Sequence, residues 1–169
     1  MITTVERTSA QIITATSEPG TRIEFNNVIS NDLGCTSYPQ DVFPGFYQFP
    51  NDGVSILYNG TYLITANVSF PASGSGGQRY MAITAYNTVT GSGFAEQYTS
   101  ISAIPRSQVG INTTVAYSLS ATVSWRLFVN TLVRMEVWHT NATGTISTAV
   151  ANTAAGTLNA SLSAALILQ

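Results

Sequence analysis

The chain has 169 residues, with six Arg, no Lys and eight Asp or Glu, for a formal net charge of −2. Charged residues make up 8% of it, against roughly 25% in an ordinary soluble domain. No basic stripe is present, which argues against nucleic-acid binding by phosphate neutralisation. The length suits one domain with a sizeable core. A near-neutral chain rich in Ser, Thr, Asn and Gly is suited to packing into a larger assembly.

Residues 1–20 are polar, hold Pro19-Gly20 and have one short apolar spot at Ile12-Ile13. They read as an arm outside the core, with Ile12 and Ile13 as its docking residues. From Thr21 onward strand signals recur. Ile23 and Phe25 alternate with Arg22 and Glu24. The aromatic-rich stretch 34–53 reads as a loop packed against the body, since Tyr38, Phe43, Phe46, Tyr47 and Phe49 would be costly to leave in water. Asp52-Gly53 and Asn59-Gly60 mark turns. Tyr62, Ile64, Ala66, Val68 and Phe70 then share one face, with Leu63, Thr65, Asn67 and Ser69 opposite. That period of two predicts a half-buried strand.

After the Ser73–Gly77 stretch, residues 79–87 form another strand candidate. Gly91-Ser92-Gly93 and Pro105 interrupt the segment beyond it. Val115, Tyr117, Leu119, Ala121, Val123 and Trp125 alternate with small polar residues. In the next candidate strand Val133, Met135 and Val137 alternate with Arg134, Glu136 and Trp138. Arg134 and Glu136 read as a surface or intersubunit pair, and Trp138 on their face reads as covered by a loop or by another subunit. The closing segment is ambiguous. Leu158, Leu162 and Leu166 fit a helix face, but every second residue from Leu158 to Leu168 is Leu or Ala, which predicts a strand. The whole pattern predicts an all-β sandwich or barrel over 21–169, with immunoglobulin-like, lectin-like and jelly-roll topologies open on pattern alone.

Chemistry-bearing residues are sparse. His139 is the sole histidine, so a Ser-His-Asp triad or a two-histidine metal site has little to draw on. No G-x-S-x-G elbow occurs. Cys35 is the single cysteine and is expected to be a free structural thiol. The Ser73–Gly77 stretch lacks the Gly-Lys-Ser/Thr ending of a phosphate loop. Asp32, Asp41 and Asp52 are too widely spaced to predict a cation site. No catalytic residue, cofactor or metal is therefore expected. Neither a charged-then-apolar leader nor an apolar membrane span is visible, so the Asn-x-Ser/Thr triplets at Asn59, Asn67, Asn112, Asn141 and Asn159 are not expected to be glycosylated.

From Phe25 to Phe70 the chain resembles the tumour-necrosis-factor and complement-globular-head superfamily. Gly60-Thr61-Tyr62 opens a long alternating run that ends at Val68-Ser69-Phe70. The segment from Val123 to Gly144 looks like that superfamily's penultimate hairpin, and 158–168 like its final strand. The resemblance spans Thr21 to Gln169. Two departures stand out: Val129-Asn130-Thr131 occupies the place of the usual Gly-Asp turn, and no collagen-like stalk precedes the domain. The resemblance implies an antiparallel jelly-roll sandwich and a homotrimer, for which Leu63, Tyr117, Trp125, Trp138 and Ile167 are the interface candidates. Domains of this type also occur on phage particles. The expected role is a non-enzymatic capsid-decoration or head-fibre protein on the virion surface. It would be assembled in the host cytoplasm and held to the major capsid protein or another virion protein by the arm. The competing expectation is the receptor- or glycan-binding tip of a tail fibre, with Tyr38, Phe46 or Tyr98 gripping sugars.

Overall fold

A computed structural model describes residues 1–14, 20–32, 53–70, 79–87, 107–109, 117–129, 131–139, 146–147 and 160–169. The expectations placed on residues 34–52 of the aromatic loop, on Cys35, Asp41, Asp52 and Tyr98, on the Ser73–Gly77 stretch, and on Asn112, Asn141 and Asn159 lie outside these residues, while Gly53, the last residue of that expected loop, opens a strand.

The described strands are β1 (Ile2–Arg7), β2 (Ile12–Ile13), β3 (Thr21–Arg22), β4 (Asn27–Asn31), β5 (Gly53–Ile56) and β6 (Gly60–Phe70). They continue with β7 (Arg79–Asn87), β8 (Ser107–Val109), β9 (Tyr117–Leu127), β10 (Thr131–His139), β11 (Ile146–Ser147) and β12 (Ala160–Leu168). One sheet has the order β4-β1-β12-β6-β9. The other has the order β3-β10-β7-β8, with β5 also paired to β10. All of the pairings are antiparallel. The two sheets enclose one hydrophobic core, as the all-β sandwich reading requires.

β6 follows its sequence alternation, with Tyr62, Ile64, Ala66, Val68 and Phe70 buried and Leu63 and Asn67 exposed. It pairs with β9 along its whole length, from Gly60↔Leu127 to Phe70↔Tyr117. Antiparallel partners share a face, so Leu119, Ala121 and Trp125 enter the core beside the β6 set. Val54, Ile56, Met81, Ile83, Ala85, Val133, Met135 and Val137 close the core from the other sheet. Each large side chain so buried contributes about 1.5–3 kcal/mol before entropic costs.

The closing segment is a strand and not a helix. β12 lies between β1 and β6, with Ala160, Leu162 and Ala164 in the core, and a register shift between Leu166 and Leu168 ends its regular pairing.

The arm expected at residues 1–20 is corrected. β1 is an interior strand, paired with β12 from Ile2↔Ala165 to Arg7↔Ala160 and with β4 on its other side. Thr3 and Val5 are buried. β2 pairs with β11 through Ile13↔Ile146. Ile13 is a core residue, so of the expected docking pair only Ile12 faces solvent. The signal was present in Ile2-Thr3-Thr4-Val5, four β-branched residues in a row.

β10 is buried on both faces. Arg134 and Glu136 are therefore not a surface pair. Glu136 accepts from the Gly20 N–H (3.2 Å) and from the Thr84 hydroxyl (3.4 Å). Trp138 stacks on its cross-strand partner Tyr80, with ring centroids 5.2 Å apart and planes within 5°. The backbone at Gly20 passes over that ring so closely that a Cβ there would stand 3.0 Å from Trp138 Cε3. Trp138 is thus covered within its own chain, partly by the segment read as an arm.

Candidate association surface

The five-stranded sheet turns its second face away from the core, and the register assigns the residues on it. One row crosses all the strands as Ser30–Thr4–Ser163–Thr65–Thr122. The next is Asn27–Glu6–Ser161–Asn67–Ser120. The hydroxyls bond one another: Thr4 with Ser163 (3.0 Å), Thr65 with Thr122 (3.2 Å) and Ser69 with Ser118 (2.7 Å). Asn67 Nδ2 donates to Ser161 Oγ (3.4 Å), and Asn27 Nδ2 donates to Glu6 Oε1. Such pairs add about 0.2–1 kcal/mol each to the sheet.

Towards the other end of the same strands large apolar residues appear on the face, beside Ser124, Thr61 and Arg126. Ile2, Ala165 and Leu63 lie in one row, and Ile167 lies one step further along β12. Ile2, Leu63 and Ile167 are exposed. β1 begins, β6 begins, and β9 and β12 end at this end of the sandwich, as Gly60↔Leu127 and Thr61↔Leu168 establish. Met1, Leu57, Tyr58, Phe128, Val129 and Leu168, all exposed, therefore form an apolar rim beside the face. All the exposed large hydrophobic residues described, except Ile12 and Ile29, belong to this end.

The rim is held in place. Tyr62 Oη donates to the Tyr58 carbonyl (2.8 Å), the Val129 N–H donates to Asn59 Oδ1 (2.8 Å), and the Thr131 N–H returns to the Phe128 carbonyl (3.2 Å). The departure from the usual turn thus places Val129 beside Phe128, both exposed, at the tip. Exposed large apolar residues gathered at one end mark a contact surface more often than scattered ones do.

Of the expected interface residues, Leu63 and Ile167 are brought together on this face. Trp125 is corrected: it sits in the core opposite Tyr62. Trp138 is corrected as well, being buried on the other sheet. The side chain of Tyr117 lies outside the described residues. Leu57, Tyr58, Phe128 and Val129 escaped the sequence reading because they lie between strands, where strand parity carries no information. Their signal is the pairing of large apolar residues, Leu57-Tyr58 and Phe128-Val129, beside asparagine turns.

His139 is fully buried at the far end of β10, and its pKa is lowered, first by desolvation and then by the Arg79 charge, against the opposing effect of a hydrogen bond to the Ile13 backbone. Asp32 is exposed. Among the described residues no group of three or more His, Cys, Asp or Glu side chains could hold a metal ion. No helix among them is long and apolar enough to cross a membrane.

Sheet order and strand pairing define a jelly-roll sandwich of the tumour-necrosis-factor and complement-head type. The chain is similar in structure to the globular domain of zebrafish complement 1qA, with 15% identity, 98% of this chain and 96% of that one covered, and a TM-score of 0.54. It is also similar to Eiger TNF from S. frugiperda (8% identity, 99% and 92% covered, TM-score 0.51) and to murine APRIL (11% identity, 99% and 100% covered, TM-score 0.50). No protein-family model and no curated protein sequence matches the chain. At these identities the likeness is one of fold.

Proposed function

We propose that the chain is a non-enzymatic assembly module that forms a homotrimer through the outward face of the β4-β1-β12-β6-β9 sheet. The observation that carries this reading is the segregation of exposed large hydrophobic residues to one end of that face and its rim. Association removes that surface from water. Likeness to a superfamily whose members usually trimerise supports the stoichiometry. Sedimentation should find a trimer at micromolar concentration. Leu63→Glu should shift it towards monomer without loss of β-sheet circular dichroism. A stable wild-type monomer would reject the reading.

Within that class we place the chain on a virion surface, as a capsid-decoration or head-fibre protein. Support comes from the 8% charged composition without lysine, which suits packing into a larger assembly. Attachment through a free arm at residues 1–20 is no part of this proposal, because β1 and β2 are built into the fold. Copy number on purified particles tests the role: hundreds of copies fit decoration, whereas a handful fits a fibre tip.

A further inference from the structure

Among the described residues the exposed charged side chains are Glu24, Asp32 and Arg126. Glu24 belongs to the end away from the apolar rim, where its backbone carbonyl accepts from Arg7, the last residue of β1. Asp32 and Arg126 both stand at the end that carries the large apolar residues. Arg126 pairs with Thr61 and lies on the outward side of β9. Asp32 follows β4 directly, and its N–H donates to the Ile2 carbonyl (3.0 Å), which sets it beside Ile2.

The sheet order keeps the two charges apart. β4 and β9 are its opposite edges, with β1, β12 and β6 between them. At about 4.8 Å per strand spacing they stand roughly 19 Å from each other, too far for an Asp and an Arg side chain of one chain to meet. Between them the sheet displays Ile2, Leu63 and Ile167, all exposed. Every copy therefore carries a negative charge at one margin of these apolar residues and a positive charge at the other. In a closed ring each subunit offers one patch to the copy before it and a different patch to the copy after it. Setting the β9 edge of one copy against the β4 side of the next brings Arg126 to Asp32 once at every contact. Setting β9 against β9 would instead bring like charges together, which is costly.

We propose that Arg126 of each copy pairs with Asp32 of the next, and that this pair fixes the head-to-tail order of the ring. The pair rests on the trimer reading above and names the contact that orients it. At the margin of the contact and within reach of water, one ion pair adds little affinity; its effect is to exclude the reversed order. It is therefore compatible with an association that depends only weakly on salt.

Charge reversal in the full chain tests the pair, by sedimentation at low ionic strength with circular dichroism as the check on folding. Arg126→Glu and Asp32→Arg, each alone, turn attraction into repulsion and should weaken association about three- to tenfold. Added salt should tighten association of either single variant, because it screens a repulsion. The double variant should return to within about twofold of the wild type, since the two sites couple. The pair is overturned if the wild type trimerises and the single reversals leave its association unchanged, or if the double variant is no tighter than the singles. A wild-type monomer overturns the trimer reading and the pair with it. Should a reversal not fold, Arg126→Gln and Asp32→Asn take its place: their losses should be non-additive, and additive losses overturn the pair.

Discussion

At the scale of single residues, the tightest constraint is a close backbone approach. Gly53 pairs with Arg134, and a Cβ at Gly53 would lie 2.1 Å from the Val133 carbonyl oxygen. That oxygen belongs to a central strand and cannot swing away as a side chain would. Gly53→Ala should therefore destabilise the fold by about 1–3 kcal/mol, the usual cost of overpacking, seen as a lower urea midpoint with unchanged slope. His139 gives a second prediction at this scale. Its folded pKa lies below its ordinary value, so below about pH 6.5 the unfolded chain binds a proton that the folded chain resists. Stability should be constant above that pH and fall beneath it until the folded pKa is reached, by about 1.4 kcal/mol per pH unit of the window. Urea titrations of wild type and His139→Gln between pH 5 and 8 check the sign, and a wild-type stability that rises on acidification contradicts it.

At the scale of elements, β1 decides whether the sheet closes. It supplies Thr3 and Val5 to buried positions and occupies the backbone groups of both β12 and β4. Deleting residues 1–7 should leave β12 with one edge unpaired and β4 without a neighbour, at a cost of several buried hydrogen bonds and the core contact of Val5. The expected outcome is loss of cooperative unfolding, followed by circular dichroism in urea. A truncated chain that unfolds with the wild-type midpoint would show that β1 is dispensable. β12 illustrates the complementary case. Its leucines at spacing four suggested a helix, but Ser161 and Ser163 meet Asn67 and Thr65 across the ladder, so the polar alternates belong to a sheet face. β6 and β9 were legible from the start because apolar and small polar residues alternate along them, with only Leu63 and Arg126 departing on the outward face. β1 was not, because a threonine stands at one of its core-facing positions and its length is only six residues.

For the molecule as a whole, the outward face of the five-stranded sheet is polar at one end and carries its large apolar residues at the other, where Arg126 also lies. Among the described residues its charged members are Glu6 and Arg126, and Glu6 is buried against its neighbours. Association through this face should depend little on ionic strength, with a dissociation constant changing by less than about threefold between low salt and roughly 0.5 M, since few charges are left to screen. Sedimentation at the two salt concentrations measures it. A steep salt dependence would assign the contact to a different surface.

Composition and periodicity by themselves determined the all-β class, the long strands and most core-facing positions, because a period of two is a local property of an extended backbone. The assignment of Leu63 and Ile167 to an outer face and of Trp125 to the core required the pairings across β6, β9 and β12. Only the tertiary structure drew Ile2 to Ala165 and Ile13 to His139, since these contacts join residues remote in sequence. Pairing of that kind leaves no periodic trace. It depends on which edges remain to be satisfied once the longer strands have met.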